Sequence, residues 1–210
     1  MALANDIYAG FEVGAEIADD VSQERAWVEA AGHDPLAFER LYNRYLPRLY
    51  AYVFHRTQDK QTSEDLVADT FMRAAQALAS GRFRWRHERS FAAWLFRIAH
   101  NAVSDHKATS RRWGDLAPLE ELPDVEADAP LPEEVFLRNE ERARLRRLIG
   151  TLSPRRQEII MLRFFGELRN QEIAAVLGLG ERTVSSHLCL AIEDLHRKYV
   201  EQSLSNGERR

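Results

Sequence analysis

The sequence predicts an all-α protein: two small helical domains joined by an acidic, proline-rich linker, the C-terminal one containing a helix-turn-helix. Three observations carry this. Apolar residues recur at intervals of three and four on both sides of the linker, the period of one helix face. Residues 113–134 hold four prolines and eight acidic residues without a basic one, a composition that leaves no periodic segment. Residues 169–199 hold two amphipathic runs around Gly178, which can turn sharply because it lacks a Cβ. The boundaries that follow are an acidic N-terminal extension over 1–33, a first domain over 34–112, the linker over 113–134, a second domain over 135–200 and a tail over 201–210.

The extension is acidic and weakly patterned, so a flexible tail is expected; Val21, Trp27 and Val28 would line one face if a short helix formed over 20–31. Asp34-Pro35 opens the first helix of the first domain, pairing a capping side chain with a proline at the first helical position. Phe38, Leu41, Tyr42, Tyr45, Leu49, Tyr52 and Val53 follow at helical spacing as core, with a kink or break expected at Pro47. Ser63 with Glu64 and Asp65 is expected to start the next helix, whose apolar face would be Leu66, Val67, Met72, Ala75 and Leu78 with Phe71 beside it. Gly81 ends it.

Residues 81–112 interleave arginine with aromatic residues: Arg82, Phe83, Arg84, Trp85, Arg86, then Phe91, Trp94, Phe96 and Arg97. Single-stranded nucleic acid asks for this combination, since aromatic faces stack on exposed bases while guanidinium groups hold phosphates. Phe91, Trp94, Leu95, Ile98 and Val103 fit the buried side of one helix, which leaves Trp85 and its loop as the better candidate for base contact.

Beyond the linker a charged helix is expected from Val135 to about Ile149. Ser153-Pro154 then caps and starts another, with Ile159, Ile160, Leu162 and Phe165 as its core face and Gly166 at its end. In the helix-turn-helix, Ile173, Ala174 and Leu177 form one apolar face and Val184, Leu188, Ile192 and Leu195 the second. Arg182, Thr183, Ser185, Ser186 and His187 then stand where a recognition helix enters a major groove. After about residue 200 the chain reads as frayed and polar.

The net charge of −4 hides a segregation along the chain. Residues 1–34 carry eight acidic and one basic residue, 35–112 fourteen basic and seven acidic, 113–135 eight acidic and no basic, and 136–210 fourteen basic and ten acidic. Two cationic blocks preceded and separated by anionic ones fit polyanion-binding modules with acidic connectors. The extension would then compete with DNA for a basic face. No apolar run approaches the roughly 18 residues of a membrane span, and acids stand where a secretory signal would be basic and apolar, so no membrane insertion and a cytoplasmic location are expected. The single cysteine, Cys189, excludes an intrachain disulfide and reads as a buried structural thiol. No phosphate-cradling glycine loop, HExxH or cysteine cluster is present and the seven histidines are scattered, so no enzyme activity, metal or cofactor is expected.

In their order, AFERLYNRYLPRLYAY at 37–52, SEDLVADTFMRAAQAL at 63–78, SFAAWLFRIAHNAVSDHKATSRR at 90–112 and LSPRRQEIIMLRFFGELRNQEIAAVLGLGERTV at 152–184 resemble the sigma-70 family of transcription initiation factors. The likeness is to its extracytoplasmic-function (ECF) group, which keeps only conserved regions 2 and 4. The resemblance implies a factor that binds core RNA polymerase, directs it to promoters and helps melt the −10 element, with an anti-sigma factor as a further partner. It makes Glu64, Asp65 and Asp69 contacts to the clamp helices of the polymerase largest subunit. Arg84, Trp85, Arg86, Arg97 and Asn101 become the −10 strand surface, with Arg111 and Arg112 at its basic end. Arg169, Arg182, Thr183, Ser185, Ser186 and His187 become readers of the −35 duplex in a domain lying against the polymerase flap. One departure stands out: Ser185, His187, Leu190 and Ile192 fall where the family usually has cations, which predicts fewer neutralised phosphates and a shallower salt dependence. The segment TVSSHL also resembles the LuxR-type helix, and a dimeric regulator of that kind without sigma activity is the alternative.

Overall fold

A computed structural model of the chain describes residues 16–83, 90–113 and 144–207, and every regular element among these is a helix. They are α1 (Glu16–Ala30), α2 (Pro35–Thr57), α3 (Lys60–Ala79), α4 (Phe91–Trp113), α5 (144–150), α6 (Pro154–Phe164), α7 (Asn170–Leu177) and α8 (Glu181–Gly207). The body of the linker, the start of the charged helix expected from Val135, and residues 84–89 lie outside the described residues.

Where a flexible tail was expected, α1 is docked on α2. Val28 is buried, the Trp27 ring lies 5.9 Å from the Arg40 guanidinium, and the buried Glu24 carboxylate accepts from Tyr45 Oη at 2.6 Å. Composition hid this helix because its stabilisation is tertiary rather than intrinsic. α2 begins as expected, with Asp34 accepting from the Leu36 N–H at 3.0 Å and Pro35 in the first turn. It then runs through Pro47 uninterrupted, since Pro47 is exposed while Tyr45 and Leu49 on either side are anchored in the core.

α3 starts three residues before the expected Ser63. Asp59 is the cap, accepting from Thr62 N–H at 2.7 Å, and Ser63 is buried in the first turn with its hydroxyl on the Asp59 carbonyl. Its buried face is Val67, Phe71, Ala74 and Leu78, so Phe71 belongs to the core and the expected Met72 is exposed. α4 buries Phe91, Leu95, Phe96, Ala99 and Val103, while Trp94 is half-buried against Phe83 with ring centroids 4.3 Å apart.

In the C-terminal unit, Leu148 and Ile149 of α5 face the core, and α6 buries Ile159, Ile160 and Leu162. Ser153 offers extended backbone but no side-chain capping bond, so Pro154 alone marks the start of α6. Gly166 follows α6 where a Cβ would lie 2.7 Å from the Leu162 carbonyl oxygen and 2.9 Å from the Phe96 ring. Gly178, at φ 66°, makes the turn between α7 and α8, and α8 continues to Gly207, past the expected fraying at about 200. Cys189 is exposed, its thiol against Glu193 at 3.4 Å, rather than the buried thiol expected.

The two units do not keep separate cores. One cluster of buried residues runs from Val28, Leu41 and Tyr52 through Phe96 and Ala99 to Ile159, Leu162, Leu168, Ile173 and Val184. α4 sits between α2 and α3 on one side and α7 on the other, so both its flanks are buried. A small second cluster of Ile149, Leu152, Ile160 and Ala191 belongs to the C-terminal unit alone.

Candidate nucleic-acid interface

Helix period decides which groups α8 displays. Val184 is fully buried beneath α7, and this turns Arg182, Thr183, Ser185 and Ser186 to solvent, with His187 half-buried at the edge. Ser185 Oγ accepts from Asn170 Nδ2 at 3.0 Å, which braces the presented helix against α7. Arg169 precedes α7 and is exposed; its backbone N–H donates to Glu172 Oε2 at 2.8 Å and its guanidinium lies 3.3 Å from Oε1. Leu190, where a cation was expected from the resemblance, is 44% exposed, so the far end of this face is apolar.

On α3, Glu64 and Asp65 are exposed and Asp69 is partly so. Each has a neighbour on its own helix: Lys60 at 4.0 Å from Glu64, Gln61 at 3.2 Å from Asp65 and Arg73 at 2.9 Å from Asp69. On α4, Asn101 is exposed and Arg97 half-buried, and Arg111 and Arg112 fall in its last turn. Arg84, Trp85 and Arg86 lie outside the described residues. Among the described residues the three sets thus lie on different elements: α3, α4, and α8 with the residue before α7.

What the fold does bring together is a polar set that motif reading missed. Glu158 of α6 is 6% exposed and receives Tyr52 Oη at 2.6 Å, His100 Nδ1 at 3.1 Å and Arg56 Nη1 at 2.7 Å, from α2 and α4. Burial pushes the Glu158 carboxyl up, but the His100 bond, the Arg56 charge and the Tyr52 hydroxyl outweigh it and hold the group below its usual range. Burial and the same carboxylate push the Tyr52 phenol well above its ordinary value. Arg48 donates from Nη2 to the Gly166 carbonyl at 2.6 Å and the Glu167 carbonyl at 3.1 Å. His55 lies 3.6 Å from the Phe165 ring, and burial with the nearby Arg146 charge lowers its pKa to about 4. Glu172 is buried too, yet the Ser90 hydroxyl at the start of α4 and Arg169 hold it ionised. A sequence signal existed: Arg48, His55 and Arg56 fall at helical spacing beside Tyr45 and Tyr52 of the core stripe, whose hydroxyls need partners once buried.

Among the described residues no group of three or more His, Cys, Asp or Glu is disposed to hold a metal, and no helix is long and apolar enough to cross a membrane. Fold and interface together define a helical protein that presents a helix-turn-helix. Residues 41–113 match the Sigma-70 region 2 family and residues 142–195 the Sigma-70 region 4 family. The ECF RNA polymerase sigma factor BldN of Streptomyces coelicolor is 35% identical over 161 residues, 77% of this chain and 60% of that protein. The RNA polymerase sigma factor YlaC of Bacillus subtilis is 30% identical over 154 residues, 72% of this chain and 86% of that protein. The solved structure of CnrH in complex with the cytosolic domain of CnrY superposes with a TM-score of 0.59 at 25% identity, covering 85% of this chain and 98% of that one. The chain belongs to the sigma-70 family of RNA polymerase sigma factors, in its ECF group. Its class is therefore that of promoter-directing initiation factors, and the LuxR-like regulator is set aside.

Proposed function

We propose that the chain joins core RNA polymerase through Glu64, Asp65 and Asp69, holds the melted −10 strand with residues 81–112, and reads the −35 duplex through residues 169–199. The observation that carries this is the order of the two matched regions on two helical units, the second presenting Arg182, Thr183, Ser185 and Ser186 on an exposed helix. Arg84, Trp85, Arg86, Arg97 and Asn101 supply stacking and hydrogen bonds to unpaired bases, and Arg111 and Arg112 meet phosphates. On α8, serine and threonine donate to base edges, His187 stands at the margin, and Arg169 and Arg182 hold the backbone. Leu190 adds apolar contact where the family resemblance leads one to expect charge, which keeps the salt dependence shallow. The polymerase does the chemistry, in the cytoplasm, and the chain itself is no enzyme. The solved CnrH is in complex with the cytosolic domain of CnrY, and a protein partner bound in the same way, of the anti-sigma class, is part of this reading.

In vitro transcription with core polymerase separates the roles. Trp85→Ala with Arg86→Ala should cut open-complex formation at least tenfold on duplex template and recover on a pre-melted bubble, with polymerase binding unchanged. Asp65→Arg should weaken polymerase binding instead. If both variants fail equally on the bubble, the division of labour is wrong.

A further inference from the structure

We propose that Asn170, which stands outside the recognition helix, is a positioning residue that sets the hydrogen-bond direction of the Ser185 hydroxyl, so that Ser185 reads a keto base and Ser186 an amino base of the −35 element. This rests on the −35 role proposed above and divides the two serines used there: Ser185 stays a donor and Ser186 becomes an acceptor.

The first step is charge. Between residues 181 and 190 Arg182 is the only arginine or lysine, so pairing of a cation with guanine is open to one residue, and sequence choice along the rest of the face falls to uncharged groups. The buried Val184 turns Ser185 and Ser186 to solvent. They stand about 100° apart around the helix and so address different positions.

The second step is where each hydroxyl proton goes. A hydroxyl has one proton and two lone pairs. Ser186 Oγ donates to the Arg182 carbonyl at 3.0 Å, within its own helix, which uses the proton and leaves lone pairs for a partner. Ser185 Oγ instead accepts from Asn170 Nδ2 at 3.0 Å, which fills a lone pair and leaves the proton to be donated outward. The far side of the amide fixes the direction of this second bond. Asn170 Oδ1 is buried and has no partner among the described residues. Turning the amide over would bury an NH2 group there instead, and orphaned N–H groups are the rarer of the two.

The third step is what the groove offers. Guanine and thymine show a carbonyl oxygen in the major groove, O6 or O4, whereas adenine and cytosine show an amino group, N6 or N4. A free hydroxyl proton is satisfied by the first pair and stranded against the second; a hydroxyl showing only lone pairs has the opposite preference. Asn170 touches no base in this scheme and acts through Ser185.

The test assembles the full chain with core RNA polymerase on templates that carry a randomised −35 region and a pre-melted bubble at −10, and sequences the templates retained. The wild type should sort guanine with thymine against adenine with cytosine at two positions, by about threefold to tenfold at each, the scale of one hydrogen bond. Ser185→Ala should erase one of these preferences and Ser186→Ala the other. Asn170→Asp has nearly the same shape, but its carboxylate only accepts, so Ser185 must turn its proton inward and present lone pairs. The preference at the Ser185 position should then reverse between the two base pairs of classes, while the added negative charge weakens binding evenly over all sequences. A brace that is merely structural would lower Tm or binding without reversing a base preference. An unchanged preference at that position in Asn170→Asp overturns the proposal. If Asn170→Asp does not fold, Asn170→Ala decides: it frees the hydroxyl to turn, so the Ser185 preference should flatten while the Ser186 preference stays, and an unaltered Ser185 preference overturns the proposal. A wild-type holoenzyme that retains all −35 sequences alike would overturn the −35 reading itself, whereas selection that ignores both Asn170 variants overturns this inference alone.

Discussion

Glu158→Ala is the perturbation whose cost the structure fixes most directly. The residue is 6% exposed and its carboxylate satisfies three donors at 2.6, 3.1 and 2.7 Å, from Tyr52, His100 and Arg56. Truncation leaves the Arg56 guanidinium, 16% exposed and already carrying an unpartnered Nε, without its counter-charge. Breaking a buried ion pair from one side costs about 3–5 kcal/mol. Tyr52 keeps a 3.2 Å contact with His100, so the lower end, about 3 kcal/mol, is expected. At a urea slope of about 2 kcal/mol/M the unfolding midpoint should fall by roughly 1.5 M. Replacing both charges with apolar residues, Arg56→Met with Glu158→Leu, removes the stranded cation and should cost less than Glu158→Ala alone. A midpoint shift in Glu158→Ala below about 0.3 M, on the same slope, would refute the reasoning that this network holds the units together.

Acid should act on the seam through His55. Its folded pKa is held down to about 4, so the unfolded chain binds the proton first; the stabilisation is complete above about pH 6.5 and is lost as pH falls toward 4. Between pH 7.5 and pH 5 the chain should lose about 2 kcal/mol of urea stability, and His55→Phe, which keeps a ring on Phe165, should flatten that slope. Glu158 and Glu172, both held below their ordinary range, contribute stability that is present above the unfolded carboxyl value and disappears only at lower pH, so the two effects separate on the pH axis. Gly166→Ala should cost about 1–3 kcal/mol, because its Cβ would meet the Leu162 backbone carbonyl, which cannot turn aside, and calorimetry should show Tm lower by roughly 2–12 °C. Gly150→Ala, with nothing within 4 Å of its Cβ, should leave Tm unchanged or slightly raised.

Legibility in the sequence followed the range of each signal. Local chemistry was readable: Asp34 and Pro35 start α2, Gly178 turns α7 into α8, and the buried Val184 sets which residues of α8 face outward. The start of α3 was misplaced because Ser63 and Asp59 are both plausible caps four residues apart, and only the tertiary burial of Ser63 decides between them. The docked α1 and the shared core were not readable, since periodicity says that a face is buried and not against what. α4 carried a hint: Phe91, Leu95, Phe96, Ile98, Ala99 and Val103 spread over more of the helix than one neighbour can cover, as a helix held between two partners requires.

The seam between the two units is polar as well as apolar. Here the apolar centre is shared by α2, α4, α6, α7 and α8, and around it Arg48 meets carbonyls, Tyr52, His100 and Arg56 meet Glu158, and Ser90 meets Glu172. The same groups are costly to leave half-satisfied, which fixes one register of α6 and α7 against α2 and α4 rather than a range of loose contacts.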